Sequence, residues 1–198
     1  MSKQRAIFLD RDGVININRV DHVRTWQEFV FEEGSLKALA RLGATDFRIF
    51  IITNQAAIGR GLVARETVEE IHARMIHEIE RVGGRIDRVY YCPHKPEDNC
   101  DCRKPSPGML WRGRDDFELD LAHSFLIGDW IDDVRAAQGA GVTPFLVQTG
   151  RGKRAVEEMR ARGMNVPAVF ENLDDAVTEI LQGAYAQNSV RRMEKKET

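Results

Sequence analysis

Hydrophobic residues along this chain fall into two patterns, short continuous runs and longer stretches in which every third or fourth residue is apolar. The first run, 7–9, gives way at once to polar residues and Gly13, and a second run occupies 47–52. Such runs are typical of strands covered on both faces of a sheet. The periodic stretch 65–82 is typical of an amphipathic helix and ends at a pair of glycines. Strands are predicted over 7–9, 47–52, 86–91, 124–129, 143–148 and 168–170, and helices over 34–42, 65–82, 107–117, 131–139, 153–162 and 173–181.

The alternation of strands and helices predicts an α/β fold built on a doubly wound, mainly parallel sheet with right-handed crossovers. With 198 residues the chain suits one domain, which is expected over residues 1–182. Within it, the polar and aromatic segment 16–31 has no sustained period and is predicted to form a small flap over the end of the first strand. The charge-mixed segment 183–198 is predicted to be a flexible C-terminal tail.

Composition narrows the class of protein without identifying it. Charged residues make up 30% of the chain and the formal net charge is −2, so neither a general polyanion-binding surface nor a nucleic-acid partner is expected. No apolar run approaches membrane-spanning length, and residues 1–5 lead straight into a strand without a secretory apolar region. A cytoplasmic protein without a membrane partner is therefore expected, and a monomer is the predicted state.

Polar residues occur where the predicted strands end, while the strands themselves are almost purely apolar. The carboxyl ends of parallel strands meet at one edge of a sheet, so these polar side chains should converge. Asp10 and Asp12 repel each other unless a cation lies between them, and a hard divalent ion such as Mg2+ is the usual one. A carboxylate nucleophile, a hydroxyl donor, a cation and a second acid are what phosphoryl transfer to an aspartate requires. The residues concerned are Asp10, Asp12, Thr53, Asn54, Lys104, Asp129 and Asp133.

Five motifs in a fixed order give the chain a resemblance to a known family. They are 8–16 (FLDRDGVIN), 53–55 (TNQ), 92–94 (CPH), 100–105 (CDCRKP) and 128–133 (GDWIDD). Over residues 5–155 the chain resembles the haloacid dehalogenase superfamily of Mg2+-dependent phosphatases, and within it the branch of D-glycero-D-manno-heptose 1,7-bisphosphate 7-phosphatases and histidinol-phosphatases. The resemblance implies a Rossmann-like haloacid dehalogenase fold without a large cap domain. It also implies hydrolysis of a phosphomonoester through an aspartyl-phosphate.

The same resemblance implies roles for individual residues. Asp10 would be the nucleophile, and Asp12 would protonate the leaving oxygen and later take a proton from the attacking water. Mg2+ would be held by Asp10, the backbone carbonyl of Asp12 and Asp129, with Asp133 supporting the metal from outside. The residues implied to bind the phosphate groups of a small phosphorylated sugar or alcohol are Thr53, Asn54, Arg60, Arg103 and Lys104.

A second set of residues forms the zinc loop, 92–102, where three cysteines and one histidine lie close together. This clustering fits metal ligation in a reducing compartment better than a disulfide framework, and a hairpin with free buried cysteines is the alternative. Three thiolates and one imidazole match the tetrahedral preference of Zn2+ and leave no open position, so a structural ion is predicted. The ion would fix Arg103 and Lys104, which follow the last ligand. The predicted ligands are Cys92, His94, Cys100 and Cys102.

The predicted helix 65–82 carries two further histidines, His72 and His77. Residues five apart on a helix do not share a face, so the two do not approach one ion together. Histidines that are solvated or at the edge of the core are expected there, rather than a metal pair.

The substrate and two other classes of function stay open at the level of sequence. The stretches 58–61 and 104–110 resemble the heptose bisphosphate branch, whereas Trp130 and the lack of a Gly-Tyr pair in 16–31 depart from its pattern. A heptose bisphosphate 7-phosphatase is favoured over a histidinol-phosphatase or another small sugar-phosphate phosphatase. A phosphoryl-accepting signalling receiver would place its acidic pair and its acceptor Asp on successive strands, whereas here the acceptor candidate lies within the first acidic pair. A non-catalytic, zinc-stabilised binding module fits the intact acidic residues and the net charge of −2 less well.

Overall fold

One parallel sheet organises the chain. The computed structural model describes the backbone of residues 3–194 and the side chains of residues 3–183, and within this range six strands form a single sheet. The strands are β1 (Ala6–Leu9), β2 (Arg48–Asn54), β3 (Arg88–Cys92), β4 (Phe125–Gly128), β5 (Thr143–Val147) and β6 (Ala168–Phe170). The helices that connect and cover them are α1 (Ser35–Gly43), α2 (Ala56–Gly59), α3 (Arg65–Arg81), α4 (Gly108–Phe117), α5 (Ile131–Ala140), α6 (Gly152–Ala161) and α7 (Leu173–Glu194).

The strand order places the end of β1 at a crevice. All neighbouring strands are parallel, and the order across the sheet is β3-β2-β1-β4-β5-β6. Leu9 of β1 is in register with Ile51 of β2 and Ile127 of β4. The chain builds one half of the sheet from β1 to β3 and the other half from β4 to β6, so the order reverses beside β1. Ligands of open parallel sheets bind at such a reversal, outside the carboxyl ends of the strands. Asp10, the first residue after β1, lies at this point.

β1 is buried on both faces, as its apolar sequence predicts. Ile7 and Leu9 pack into a hydrophobic cluster with residues of α1, α3 and α7, while Ala6 and Phe8 pack into a second cluster with residues of α4 and α5. All four side chains are 0% exposed. Burying a side chain the size of Leu or Ile contributes about 2 kcal/mol. The predicted doubly wound α/β fold is confirmed, and its two layers fix the position of the residues that follow β1.

The segment 16–31, predicted to be a flap, is anchored at its base. An antiparallel bridge joins Asn16 to Phe31 where the segment starts and ends. The ring of Trp26 stacks on that of Phe29, with centroids 5.1 Å apart. Between β1 and β2 this segment is followed only by α1, and among residues 3–194 no large cap domain is present.

The second strand is longer than the hydrophobic pattern predicts. β2 continues past the apolar run because Thr53 and Asn54 pair with residues of β3. The sequence pattern does not predict α2, because four residues are too few to show a helical period. Thr53 and Asn54 are therefore part of the sheet rather than of a loop.

The C-terminal helix α7 begins where it is predicted, and its backbone continues past the predicted end at Leu181 to Glu194. The predicted flexible tail, 183–198, includes residues 195–198, which lie outside the described part of the chain. Among the described residues, no helix combines the length and the apolar character needed to cross a membrane.

Candidate active site

A cavity of about 440 Å3 opens at the carboxyl ends of β1 and β2. The predicted site residues that line it are Asp10, Asp12, Thr53, Asn54, Arg60, Arg103, Lys104 and Asp133. Asp129 is fully buried behind the cavity wall, and one of its carboxylate oxygens lies within 4.8 Å of oxygens of Asp10 and Asp133. The fold therefore brings together side chains that are far apart in sequence, as the strand-end pattern predicts.

A buried lysine joins two of the acidic residues. Lys104 Nζ donates to Asp10 Oδ1 at 2.8 Å, to Asp133 Oδ1 at 2.6 Å and to the Ile52 carbonyl oxygen at 3.0 Å. Burial lowers the pKa of Lys104, but Asp10 and Asp133 outweigh this effect and hold that pKa above its usual range. The ammonium group stays charged, and a fixed cation beside Asp10 is suited to hold an anion against that carboxylate.

The three buried carboxylates carry more negative charge than one lysine neutralises. Burial, only partly offset by Lys104, raises the pKa of Asp10 to about 7, and burial together with Asp133 raises that of Asp129 to about 6. Asp129 Oδ1 has no hydrogen-bond partner among the described residues. In contrast, Asp133 accepts from Lys104 through Oδ1 and from the Trp130 N–H through Oδ2. A buried oxygen cluster with an unpartnered carboxylate oxygen fits Mg2+, with Asp10 and Asp129 as ligands and Asp133 outside.

Two glycines make room for this cluster. Gly13 (φ +92°) and Gly150 (φ +54°) meet from different loops, and a Cβ atom on either one would overlap Asp129 Oδ2. The Thr149 hydroxyl donates to the Gly13 carbonyl oxygen at 2.6 Å, which ties the two loops together. The Arg151 N–H donates to Asp129 Oδ2 at 2.8 Å. The Asp129 carboxylate is therefore enclosed by backbone and keeps one orientation.

Asp12 is held as a carboxylate at the cavity wall. Arg11 Nη2 donates to both of its oxygens at 2.9 Å, and Asn16 Nδ2 and Gln55 Nε2 each donate to one oxygen at 3.0 Å. Burial raises the pKa of Asp12, but Arg11 and the two amides outweigh this effect, so that pKa lies below its usual range. The side chain of Asp12 is 23% exposed. Asp12 can therefore exchange a proton with a molecule in the cavity while its orientation is fixed.

Thr53 and Asn54, at the end of β2, differ in how free their side chains are. Thr53 Oγ1 accepts a hydrogen bond from Gln55 Nε2 at 2.8 Å, which leaves the hydroxyl proton available to the cavity. Asn54 Nδ2 donates to the Lys104 carbonyl oxygen at 3.0 Å, and Asn54 Oδ1 accepts from the Lys104 N–H at 3.1 Å. The Asn54 amide therefore holds the backbone of Lys104 against β2.

Arginines line the outer part of the cavity. Arg60 Nη1 lies 3.4 Å from Nε2 of His22, a residue of the predicted flap. Arg103 Nη1 donates to the His94 carbonyl oxygen at 3.3 Å. The cavity is also lined by three arginines that the sequence does not single out, Arg19, Arg151 and Arg154. The mouth of the cavity is positively charged and favours anionic molecules.

The four predicted zinc ligands form a compact cluster. The Sγ atoms of Cys92 and Cys102 each lie 3.5 Å from that of Cys100. His94 Nδ1 lies 3.3 Å from Cys102 Sγ and 3.6 Å from Cys92 Sγ. Tetrahedral ligands at a Zn–S distance of about 2.3 Å are about 3.8 Å apart, so these separations are close to those of a zinc site. The donor set and its spacing fit a structural Zn2+.

Besides Arg19, Arg151 and Arg154, the set predicted by sequence lacks three residues of a hydrogen-bond network beside the cavity. They are Arg11 and Gln55, which line the cavity, and His72, which does not. Arg11 is 1% exposed and is the largest fully buried side chain of the described residues. His72, expected to be solvated or at the edge of the core, is 5% exposed, and its Nε2 lies 3.0 Å from Arg11 Nη1. An arginine between two acids directly after a buried strand is the sequence signal that could have pointed to this network.

Addition of Mg2+ should stabilise the protein more at pH 8 than at pH 5. Because the pKa values of Asp10 and Asp129 are raised to about 7 and about 6, these groups contribute stability to the metal-free protein that is fully present below pH 4 and is lost as the pH rises through those values. The same ionisation prepares the ligands for a cation. At 100 times the Kd, Mg2+ should add about 2.7 kcal/mol, or about 5 to 10 °C in Tm, at pH 8 and much less at pH 5.

Thermal unfolding with and without Mg2+ at several pH values checks this prediction. The variant Asp129→Asn is the control, because it keeps the shape of the side chain and removes one ligand charge. A Tm increase that is independent of pH, or that persists in Asp129→Asn, would contradict the assignment of the acidic cluster as the Mg2+ site.

Comparison with known proteins agrees with the geometry of the site. Residues 101–176 match the family model of HAD-hydrolase-like proteins. The chain is 36% identical to D-glycero-β-D-manno-heptose-1,7-bisphosphate 7-phosphatase of Pseudomonas aeruginosa over 89% of its own length and 97% of that protein. It is 40% identical to the enzyme of the same name from Bordetella bronchiseptica, over 78% and 86% of the two chains.

Solved structures give the same result. The crystal structure of the B. bronchiseptica D,D-heptose 1,7-bisphosphate phosphatase, in complex with magnesium and phosphate, matches with a TM-score of 0.85 and 36% identity over 91% of this chain and 99% of that one. The corresponding Burkholderia thailandensis phosphatase matches with a TM-score of 0.69 and 32% identity, over 90% and 99% of the two chains. The resemblance inferred from the motifs is confirmed. The chain has the strand order and the acidic cavity described above, and it is similar to these phosphatases along nearly its whole length. It therefore belongs to the D-glycero-β-D-manno-heptose-1,7-bisphosphate 7-phosphatase family of haloacid dehalogenase-like hydrolases.

Proposed function

We propose that this protein removes the 7-phosphate of D-glycero-D-manno-heptose 1,7-bisphosphate through an aspartyl-phosphate formed on Asp10. The observation that carries the proposal is the position of Asp10 at the end of the central strand, between the buried Lys104 ammonium and the acidic cluster. The names of the similar proteins support the choice of substrate.

Asp10 has one carboxylate oxygen available for attack. Lys104 Nζ and the Arg11 N–H both donate to Oδ1, at 2.8 Å and 2.7 Å. Oδ2 then forms the new bond to phosphorus while the bond from phosphorus to the sugar oxygen breaks. When Mg2+ is bound by Asp10, the Asp12 carbonyl and Asp129, it offsets the repulsion between the Asp10 carboxylate and the phosphate dianion.

Asp12 moves the proton in both steps. Its pKa is below the usual range in the free protein, so the carboxylate first has to gain a proton. A phosphate dianion in the cavity raises that pKa, because two negative charges at close range disfavour ionisation. The protonated Asp12 then donates to the leaving sugar oxygen. In the second step it takes a proton from the water that attacks the aspartyl-phosphate, which restores Asp10 and releases phosphate.

The phosphate that is transferred is bound by the Lys104 ammonium and the Thr53 hydroxyl, both of which line the cavity. Asn54 contributes indirectly, since its amide holds the backbone of Lys104. Arg60 and Arg103 are on the cavity wall and suit the second phosphate of a bisphosphate substrate, which a guanidinium binds through two parallel hydrogen bonds. The zinc loop keeps Arg103 and Lys104 in place.

The same proposal includes the expected setting of the enzyme. A monomer in the cytoplasm is expected, where a reducing environment keeps the three thiols available for Zn2+. The formal net charge of −2 supports a small phosphorylated substrate rather than a nucleic-acid partner.

The test of this function is phosphate release from D-glycero-D-manno-heptose 1,7-bisphosphate and from histidinol phosphate, side by side with equal enzyme and saturating Mg2+. We expect kcat/KM to be at least about tenfold higher for the heptose bisphosphate, because its second phosphate can bind Arg60 and Arg103 on the cavity wall. A preference for histidinol phosphate would move the protein to the other branch of the family. Turnover of a generic phosphoester alone would keep the mechanism and discard both substrates.

A further inference from the structure

We propose that His72 is a positioning residue for proton transfer, because it fixes Arg11, and Arg11 in turn fixes the carboxylate of Asp12. The inference rests on the proposed phosphatase function and concerns the acid that protonates the leaving group. It assigns a role to a histidine that lies 61 positions from Arg11 in sequence and does not line the cavity.

The hydrogen bonds of the Arg11 guanidinium divide between its two terminal nitrogens. Nη2 donates to both oxygens of Asp12 at 2.9 Å and to Gln55 Oε1 at 3.3 Å. Nη1 pairs with His72 Nε2 at 3.0 Å, and it makes no other hydrogen bond among the described residues. Nε has no partner in the same part of the chain. One half of the guanidinium therefore faces the acid, and His72 holds the other half.

His72 is suited to this role by its charge state. Arginine has only donors, so His72 Nε2 accepts and the ring proton is on Nδ1. Burial and the nearby Arg11 lower the pKa of His72 to about 3, so the ring is neutral near pH 7. A neutral acceptor orients the guanidinium without competing for its charge, whereas a carboxylate at this position would draw Arg11 away from Asp12.

The position of His72 is set by packing that does not involve the cavity. It lies on α3 between Val68, Ile71 and Met75, which are 0–1% exposed. Its ring centroid is 5.6 Å from that of Tyr91 on β3. Both oxygens of Asp12 accept from the same nitrogen of Arg11, so a rotation of the guanidinium changes the orientation of the whole carboxylate. Without His72, Arg11 keeps its partners on one side only.

The dependence on the leaving group separates this role from a purely structural one. The alkoxide of a sugar needs a proton as it leaves, whereas p-nitrophenolate leaves readily without one. For His72→Leu we expect kcat/KM to fall about 10- to 100-fold with the heptose bisphosphate and less than about threefold with p-nitrophenyl phosphate. His72→Gln restores a hydrogen-bond acceptor, so its kcat/KM should stay within about threefold of wild type with both substrates. The matched control is His77→Leu on the exposed side of α3, which should leave kcat/KM unchanged with both substrates.

A double-mutant cycle with Asp12→Asn completes the test. If His72 acts through Asp12, then adding His72→Leu to the Asp12→Asn variant should cause no further loss of activity toward the heptose bisphosphate. Equal losses on both esters, or additive losses in the double variant, would overturn the inference. If circular dichroism shows His72→Leu to be unfolded, His72→Met replaces it, because it fills similar volume without a nitrogen or oxygen acceptor. Absence of wild-type turnover of both esters would instead overturn the proposed function.

Discussion

Replacing Asp10 by Asn is expected to lower kcat by at least about 10^3-fold while the protein stays folded. The amide has nearly the shape of the carboxylate but is not a nucleophile, and Lys104 and the Arg11 N–H can still donate to its oxygen. Burial raises the pKa of Asp10 to about 7, so the fold already disfavours the charge that the substitution removes. Phosphate release under saturating substrate measures the effect on kcat.

The matched control is Asp132→Asn. Asp132 also lines the cavity, but it lies outside the cluster of Asp10, Asp129 and Asp133. We expect its kcat to stay within about threefold of wild type. Near-wild-type turnover by Asp10→Asn, with circular dichroism showing a folded protein, would exclude Asp10 as the nucleophile.

Replacing Cys100 by Ala is expected to lower the free energy of unfolding by about 4 kcal/mol, which corresponds to a fall of about 8 to 16 °C in Tm. The remaining three ligands cannot close a tetrahedral site, so the loop 92–102 loses its cross-link. Arg103 and Lys104 are the two residues that follow this loop. Activity should therefore fall about tenfold or more, while the Mg2+-dependent rise in Tm is kept, because Asp10 and Asp129 are on other segments.

Asp101→Asn is the control within the loop, since Asp101 is exposed and is not among the clustered ligands. It should keep both zinc and stability. Metal analysis of the purified protein, combined with chemical unfolding and phosphate release, distinguishes the cases. Full activity and unchanged stability in a zinc-free sample would show that the cluster is not a structural metal site.

The sequence predicted the sheet because the signal is local. Each apolar run reports a strand covered on both faces, and the packing of Ile7 and Leu9 against one layer and Phe8 against the other is what that pattern requires. The convergence of Asp10, Thr53 and Asp129 follows from the parallel sheet, since parallel strands end at one edge. Lys104 reaches them from the segment that follows the zinc loop. The family itself was predicted from motif order. The roles of the individual residues remain predictions that the experiments above test.

The sequence could not predict contacts that depend on how one element packs on another. The pairing of Arg11 with His72 spans 61 positions and is set by how α3 lies on the sheet, which no periodic pattern reports. Asn54 is a similar case. Its position in a Thr-Asn motif predicts a phosphate donor, which stays a prediction, but no sequence pattern shows that β2 extends far enough for its amide to meet the backbone of Lys104.

The paired glycines at 13 and 150 have a consequence for comparing chains of this fold. A single methyl group on either loop would occupy the space that the Asp129 carboxylate fills. A homologue with the same sheet and the same acidic residues, but with a side chain at one of these two positions, is therefore expected to have lost its divalent-cation site. Two residues that carry no chemistry of their own become markers for sorting active hydrolases from inactive relatives.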